Sequence, residues 1–362
     1  MKPDRVVTFM VLIVVLSSCM SPPPLRSTPA GQVEEAPATQ PSPTLASLPT
    51  GVPTISLTQS SAGPADTQPP GAGGTINPTQ PELPEGDPDG SPASMYAKLI
   101  ENSRAIRRDL TYCTVDGVEL KFDFFLPKRQ TGDVPLVIHV HGGGWSKGDK
   151  RGGASLVYGP ELLAAGFALA SLNYRLAPQY EFPAMIEDVK CAIRFFRAHA
   201  GEYRFDPSKI GIFGSSAGAH LSSLVGTSDQ QAGFDVGEFL DQSSRVQAVV
   251  DFFGPADLTV NFSGTYAELK PTVFANFDLK AASPVSYISS DDPPFLILHG
   301  DMDRVVPISQ SQMLYDQLVS GGVIVNLVVV KNGTHGFGTD NITPTRDELT
   351  AMMVNFFNEH LN

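Results

Sequence analysis

The sequence of 362 residues has little cysteine, few basic residues and no long apolar run. Three cysteines are too few for a disulfide scaffold and do not indicate a metal cluster. Twenty-five basic residues against 38 acidic ones give a formal charge of −13. Because phosphate binding needs a basic face, this balance argues against nucleic acid as a partner. No apolar run reaches the ~18 residues of a membrane-spanning helix. The 41% of hydrophobic residues is nevertheless enough to bury a core.

The first nineteen residues have the features of an export signal. Two basic residues precede an apolar stretch at 6–16, which suits a signal-peptide core and is too short to span a bilayer. Residues 16–19 resemble the bacterial lipobox, an aliphatic residue and two small residues before a cysteine that is lipidated. This resemblance implies a lipoprotein signal peptide at 1–19 and an exported protein that a lipid on Cys19 anchors to a membrane of the cell envelope. The alternative is an ordinary secretory signal with a chance cysteine.

Residues 20–93 differ in composition from the rest of the chain. The stretch 21–93 holds 17 of the 31 prolines and no Phe, Trp or Tyr. Without aromatic side chains it has too little apolar surface to offset the entropy lost on ordering. We therefore predict a disordered linker rich in Pro, Ser and Thr, partly polyproline, which would hold the following domain away from a membrane.

From residue 94 onward, short apolar runs alternate with amphipathic stretches. Residues 111–115 and 118–125 predict a hairpin around Asp116-Gly117. Further strands are predicted at 134–140, 167–172, 209–213, 246–253, 295–299 and 323–330, and helices at 155–165, 184–200, 217–225, 310–319 and 346–360. This order predicts an α/β domain at 94–362, with a mostly parallel eight-stranded sheet and helices on both faces. Functional sites of such sheets lie at the carboxyl ends of the strands.

Residues 214–218 form a Gly-x-Ser-x-Gly motif between a predicted strand and a predicted helix. At a tight strand-to-helix turn the central serine is held with its hydroxyl exposed, and glycines on either side leave out Cβ atoms that would collide with neighbouring backbone. We identify Ser216 as the candidate nucleophile, the alternative being a helix N-cap. His220 follows one helical turn later and is interpreted as a packing residue.

Three glycines follow the predicted strand 134–140, in the sequence His-Gly-Gly-Gly-Trp at 141–145. Glycines let the backbone bend until N–H groups face a substrate oxygen. The candidate oxyanion hole is formed by the N–H groups of Gly142, Gly143 and Ala217, the residue after the candidate nucleophile, with Gly144 as a second choice on the loop. His139 and His141 could suggest a metal site, but no third ligand follows at a useful spacing, and we expect a local hydrogen-bonding role and no metal.

His335 lies in a Gly-rich loop after the last predicted strand, where a base could serve a serine nucleophile. Asp303, after the preceding strand, is the candidate for the acid that orients its imidazole. Asp301 is the second choice, and Asp251 and Asp257 are outside candidates. The chain order Ser, Asp, His is that of α/β-hydrolases.

With these motifs, residues 94–362 resemble an α/β-hydrolase of the esterase type. The resemblance is closest to the BD-FAE-like group of bacterial carboxylesterases and feruloyl or acetylxylan esterases, near the hormone-sensitive-lipase-like family. It implies Ser216, Asp303 and His335 as a catalytic triad, and no cofactor. The residues that carry it are at 141–145, 173–178, 182–184, 187–190, 206–210, 214–218, 299–307 and 335–337.

The chain also departs from the hormone-sensitive-lipase pattern. Relatives usually carry Asp where Ser215 stands and have a larger N-terminal cap. Because little chain precedes the first strand here, we expect a small lid formed by insertions at 226–245 and 258–282. Their aromatic side chains either line an acyl or aryl pocket or pack the insertions: Phe234, Phe239, Phe262, Tyr266, Phe274 and Phe277.

Cys113 and Cys191 fall on a predicted strand and a predicted helix. We interpret them as two buried free thiols, with a disulfide as the alternative, since export would permit one.

These features favour a serine carboxylesterase that hydrolyses short acyl or aryl esters, such as acetyl or feruloyl groups on polysaccharide, through an acyl-enzyme. The substrate class comes from the resemblance alone. Two alternatives remain. One is an amidase, arylformamidase-like or peptidase-like hydrolase with the same triad, and the other is a catalytically silent surface binding protein.

Overall fold

The computed structural model describes residues 92–129, 131–338 and 341–362. The predicted signal peptide at 1–19, the lipidation site Cys19 and almost all of the predicted linker at 20–93 lie outside these residues. Within them, no helix has the length and apolar character needed to cross a membrane.

Eight strands form one sheet in the order β1-β2-β4-β3-β5-β6-β7-β8. β1 pairs antiparallel with β2 and β2 antiparallel with β4, and every later pairing is parallel. The predicted mostly parallel, eight-stranded sheet is confirmed. The strands are β1 Ser103–Val115, β2 Val118–Pro127, β3 Val134–Val140, β4 Ala168–Leu172, β5 Phe205–Ser215, β6 Ala248–Phe252, β7 Phe295–Gly300 and β8 Val325–Val330.

Helices cover both faces of the sheet. The helices are α1 Pro92–Asn102, α2 Ala154–Ala164, α3 Ala184–Ala198, α4 Ala200–Tyr203, α5 Ala217–Thr227, α6 Gly264–Val273, α7 Ser309–Ser320 and α8 Arg346–Leu361. Side chains of α3, α5 and α7 bury one face and those of α1, α2 and α8 bury the other. Strand β3 shows why: Leu136 and Ile138 point to the first face and Val137 to the second, as the two-residue period of a strand requires.

One expectation about the core was wrong. Cys113 on β1 and Cys191 on α3 are joined by a disulfide, with their Cα atoms 6.5 Å apart, and are not free thiols. The two cysteines are 78 residues apart in sequence and meet only because α3 packs against β1. The proximity of the two cysteines depends on tertiary packing, so the local sequence patterns of the strand and the helix could not predict it.

The insertion at 226–245 is fixed to α3 by buried charges. Lys190 and Arg194 are fully buried and pair with Asp235 at 3.3 Å and 2.6 Å. The Arg194 guanidinium also donates to the carbonyl of Glu238 at 3.0 Å. This insertion is therefore attached to the flank of the sheet beside the disulfide. The second insertion carries α6 to the carboxyl ends of the strands.

Candidate active site

Ser216 sits at the turn between β5 and α5 with a backbone φ of +53°, a conformation that L-residues rarely adopt. Its N–H donates to the carbonyl of Phe252 at the end of β6, at 2.9 Å. The flanking glycines are needed for close packing: a Cβ on Gly218 would lie 2.1 Å from the Val140 carbonyl oxygen, and one on Gly214 would lie 2.4 Å from the Gly218 backbone. The sequence motif thus forms a turn that holds Ser216 in a strained conformation at the carboxyl end of β5.

The glycine loop after β3 lies beside this turn. Gly143 and Gly144 have φ values of +121° and +62°, and a Cβ on Gly143 would lie 2.0 Å from the Lys147 carbonyl oxygen. A Cβ on Gly142 would lie 2.7 Å from the carbonyl oxygen of Ser215. In the described part of the chain no hydrogen bond occupies the N–H of Gly142 or Gly143. These two donors are therefore available to a ligand.

Ala217 is the first residue of α5 and is buried. Because the first N–H groups of a helix have no partner within the helix, the Ala217 N–H is available beside Ser216. The N-terminus of α5 also carries a partial positive charge, which favours a developing oxyanion.

Asp303 and His335 are in direct contact, with 2.7 Å between carboxylate Oδ2 and imidazole Nδ1. The other carboxylate oxygen accepts the backbone N–H groups of Val305 and Val306 at 2.8 Å and 3.0 Å. Burial alone would raise the pKa of Asp303, but the neighbouring imidazoles of His299 and His335 and the Val306 N–H hold this pKa well below its usual range. The carboxylate is therefore ionised and aligned to orient His335.

The other candidate acids have different partners. Asp301 forms an ion pair with Lys331 at 3.4 Å, and Asp257 accepts hydrogen bonds from Thr259. Asp251 is buried and accepts from the Ser223 hydroxyl and the Gly254 N–H. Among the described residues, the only carboxylate in contact with His335 is that of Asp303.

Ser216, His335 and the glycine loop face one cavity of about 700 Å³ at the carboxyl ends of the strands. Gly142, Gly143, Ser216 and His335 all line it, and no hydrogen bond joins the Ser216 hydroxyl to His335 in the described part of the chain. Such contacts are often long in a site without ligand. Much of the remaining wall is apolar and comes from Phe253, Pro255, Phe262, Tyr266, Leu269, Val305 and Val306. Polar and charged side chains also line the cavity, among them Lys147, Asp149 and Glu268.

The aromatic side chains of the two insertions divide into two groups. Phe262 and Tyr266, beside and within α6, line the cavity with their rings stacked 4.3 Å apart. The other four lie outside its lining. Phe239 packs on Phe195 and His199, and the rest pack around Phe182. The insertion at 226–245 therefore contributes no aromatic side chain to the cavity, whereas α6 covers part of it.

Sequence reasoning missed two side chains of the site. Phe253 follows β6 and lies with its ring 4.7 Å from that of His335, so it shields the imidazole. Trp145 closes the glycine loop and donates its indole N–H to His220 at 3.2 Å. Phe253 and Trp145 both have a positive φ, a conformation that their surroundings must enforce. The sequence shows only an aromatic residue beside a glycine, which does not indicate a place in the site.

His139 and His141 do not form a metal site with a third ligand. His139 contacts the Ser171 hydroxyl through Nδ1 at 2.8 Å, and His141 directs its Nδ1 to the Gly142 carbonyl at 2.8 Å. Residues 92–129, 131–338 and 341–362 contain no cluster of three or more His, Cys, Asp or Glu side chains able to hold a metal ion.

The sheet order, the strained serine turn and the Asp–His pair at the strand ends define an α/β-hydrolase fold. The BD-FAE family model matches residues 122–318, more than half of the chain, and the chain belongs to that family. A solved structure of a truncated carbohydrate esterase from gut microbiota superposes with a TM-score of 0.63 at 31% identity, covering 72% of this chain and 97% of that one.

Two relatives from Mycobacterium tuberculosis show the same similarity in sequence. The probable carboxylic ester hydrolase LipM is 38% identical over 198 residues, which is 52% of this chain and 46% of LipM. Esterase LipQ is 34% identical over 235 residues, which is 62% of this chain and 54% of LipQ. The chain thus spans about half the length of these curated relatives.

Proposed function

We propose that this protein is a serine carboxylesterase. The observation that carries the proposal is the 2.7 Å contact between Asp303 and His335 at a cavity that Ser216 also lines. An ionised, buried acid, an imidazole and a strained serine at one cavity are the parts that acyl transfer needs. The names of the relatives from M. tuberculosis and gut microbiota agree with ester hydrolysis.

The geometry assigns a role to each group. The Nδ1 atom of His335 is engaged with Asp303, so Nε2 takes the proton as Ser216 Oγ attacks the ester carbonyl carbon. The oxyanion is then stabilised by the N–H groups of Gly142, Gly143 and Ala217. The tetrahedral adduct collapses as His335 protonates the leaving alcohol, and a water molecule activated by His335 hydrolyses the acyl-enzyme and restores Ser216.

We infer that the substrate combines a small acyl group with a larger alcohol. Leu269 on α6 lies directly against the glycine loop, since a Cβ on Gly144 would be 2.7 Å from its Cδ1. This contact restricts the space beside the candidate oxyanion donors, which supports acetyl over the bulkier feruloyl group. The carbohydrate esterase relative supports polysaccharide as the alcohol component.

We further propose that the protein acts outside the cytoplasm, attached to a membrane of the cell envelope through a lipid on Cys19. The signal-like residues 1–19 and the proline-rich stretch 20–93 support this location. The Cys113–Cys191 disulfide supports it independently, because disulfides persist in oxidising compartments.

Hydrolysis of p-nitrophenyl acetate, butyrate and octanoate by the full chain tests the function. We expect turnover that is strongest on acetate and that Ser216→Ala reduces by at least about 10³-fold, since removing a nucleophile removes the acyl-enzyme route. Ser290→Ala, which changes an exposed serine, should keep wild-type turnover. If Ser216→Ala and the wild-type chain hydrolyse the esters equally, the proposed function is wrong.

A fluorophosphonate probe and p-nitroanilides distinguish the alternatives. Phosphonylation of Ser216 together with ester turnover supports the esterase. Phosphonylation with turnover of anilides or formyl amides, but not of esters, would instead indicate an amide hydrolase. An unlabelled chain without turnover would indicate a silent binding protein.

A further inference from the structure

The candidate oxyanion loop ends in the only tryptophan of the chain. Trp145 is 3% exposed and has a φ of +55°, directly after two glycines that also have positive φ. Its backbone carbonyl accepts the Ala177 N–H at 3.0 Å. Its indole N–H donates to Nδ1 of His220 at 3.2 Å, with the two rings edge to face at 5.2 Å. The loop is therefore held at this end by one buried side chain.

His220 connects three parts of the site. It lies on α5 one turn after the candidate nucleophile, and its backbone N–H donates to the Ser216 carbonyl at 3.0 Å. Its Nε2 lies 2.8 Å from the carbonyl oxygen of Ala282, at the end of the insertion that carries α6. The side chain is fully buried and does not itself line the cavity, but it contacts Trp145, which does.

These partners fix the tautomer of His220. An indole N–H can only donate, so Nδ1 must be the unprotonated acceptor. A backbone carbonyl can only accept, so Nε2 must carry the proton. A doubly protonated imidazole would face the Trp145 N–H with a second donor and break that contact. The neutral Nε2–H form is the one that joins the loop, the nucleophile helix and the insertion.

We infer that His220 is a positioning residue for the oxyanion hole, acting through Trp145. The inference rests on the proposed function, since it concerns how the N–H groups of Gly142 and Gly143 are aimed at the substrate oxygen. Gly143 and Gly144 adopt positive φ without strain, but Trp145, a non-glycine residue at +55°, keeps this conformation only where its surroundings over-determine it. Catalysis depends on donors placed in advance at the site of developing charge. The His220–Trp145 bond provides that placement from α5, the helix that begins directly after Ser216.

Two substitutions separate the two bonds of His220. In His220→Asn the amide oxygen takes the place of Nδ1, which keeps the acceptor for Trp145 and removes the donor to Ala282. In His220→Gln the amide nitrogen takes the place of Nε2, which keeps the donor to Ala282 and removes the acceptor for Trp145. Trp145→Phe removes the indole N–H from the other side.

For p-nitrophenyl acetate we expect His220→Gln and Trp145→Phe each to lower kcat about 10-fold with KM within about twofold, a fraction of the cost of deleting an oxyanion donor. The double variant His220→Gln/Trp145→Phe should have the same kcat as the single variants, because each substitution removes the same hydrogen bond. His220→Asn should retain most of kcat. His199→Gln, which changes a half-buried histidine bonded to Phe195 away from the cavity, is the control.

Fluorescence gives a readout that does not depend on turnover. Because Trp145 is the only tryptophan, emission excited at a wavelength that tyrosine does not absorb reports on this side chain alone. We expect His220→Gln to shift the emission maximum and increase acrylamide quenching, and His220→Asn to match the wild type.

The outcomes distinguish the inference from the proposed function. Equal loss of kcat in His220→Asn and His220→Gln, with equally lowered melting temperatures, would overturn the inference and leave His220 a packing residue. Unchanged emission in His220→Gln would overturn it as well. If the wild-type chain hydrolyses no ester, the proposed function fails, and the emission comparison alone decides whether His220 positions the loop.

Discussion

The two carboxylate oxygens of Asp303 have different partners, and the site depends on both. One oxygen is fixed by the backbone N–H groups of Val305 and Val306, and the other receives Nδ1–H of His335. The Asp303 carboxylate is thus fixed to its own loop through one oxygen and accepts the imidazole N–H of His335 through the other. Its location on a turn after β7 aligns it with a histidine on the loop after the neighbouring strand β8.

Replacing this acid by its amide tests the assignment. In Asp303→Asn one oxygen can still accept the backbone N–H groups, but an NH₂ group then faces His335 and favours the wrong tautomer. We expect kcat on p-nitrophenyl acetate to fall about 10³- to 10⁴-fold with the fold intact by circular dichroism. Asp301→Asn breaks only the contact with Lys331 and should stay within about twofold of wild type. The reverse ranking would make Asp301 the acid.

His220 also gives the protein a pH-dependent stability. Burial lowers the pKa of His220 to about 4, whereas an unfolded histidine titrates near 6.5. Above about pH 6.5 both states are neutral, and the stabilising contribution of the buried imidazole is fully present. As the pH falls from 6.5 to 4, the unfolded chain takes up a proton that the folded chain refuses, so the contribution is lost at up to about 1.4 kcal/mol per pH unit.

Urea unfolding at pH 7.0, 5.5 and 4.5 measures this effect. The difference in unfolding free energy between wild type and His220→Asn should narrow as the pH falls, since the variant has no titrating group at this position. A difference that stays constant over the three pH values would contradict the pKa assigned to His220.

At the level of single residues, the sequence could indicate the parts of the site but not all of their contacts. Ser216 stands in a local motif, and His335 and Asp303 follow consecutive strands, so chain order alone indicates that they meet. The bond between Trp145 and His220 joins residues 75 positions apart. It depends on how α5 packs under the glycine loop, and His220 therefore looked like an ordinary packing residue.

Among the secondary-structure elements, β5 and α5 form a turn with little room. A Cβ on Gly218 would lie 2.1 Å from the carbonyl oxygen of Val140 on β3 and 2.6 Å from that of His141. Since backbone atoms of a central strand cannot move aside cheaply, α5 would have to shift and carry Ser216 with it.

Gly218→Ala should accordingly lower both stability and activity. We expect a loss of about 1–3 kcal/mol in unfolding free energy, as for an overpacked core site, and a fall in kcat of at least about 10-fold. Gly201→Ala on α4 is the matched control, because nothing lies within 4 Å of its added Cβ. It should be neutral or slightly stabilising, by about 0.4–1 kcal/mol. Equal stability of the two variants would show that the turn has more room than its distances indicate.

The predicted elements matched the observed ones where the local pattern was strong. Runs rich in β-branched residues, such as Val134–Val140 and Val325–Val330, identified their strands directly. Helix α1 was missed because it begins at Pro92, at the end of a proline-rich stretch whose composition argues against order. Helix α6 was missed because it lies in an insertion without a clear apolar period, although its Tyr266 and Leu269 reach the cavity.

For the whole molecule, the alternation of strands and helices predicted the mostly parallel sheet, but the strand order is set by packing. The disulfide belongs to this level too. It ties β1, at the outer edge of the sheet, to α3, and both of its cysteines are 2% exposed. Because α3 also binds the insertion at 226–245 through Lys190 and Arg194, the bond supports a whole flank of the protein.

Removing the disulfide should therefore destabilise the fold without changing the chemistry. For Cys113→Ala/Cys191→Ala we expect a loss of about 2–4 kcal/mol in unfolding free energy and a kcat within about twofold of wild type. Reductant should lower the stability of the wild type toward that of the double variant and leave the variant unchanged. A double variant as stable as the wild type would show that packing alone holds β1 to α3.

The parts of the site enter the sheet in a fixed order along the chain. The glycine loop follows β3 and the serine turn follows β5, but the imidazole comes only after β8, the last strand. When the ribosome has synthesised the chain as far as residue 320, Ser216 is present but His335, the proposed base, is not. On the proposed mechanism the ability to cleave esters therefore appears only when synthesis is nearly complete and the last strand has docked, so an unfinished chain cannot hydrolyse esters.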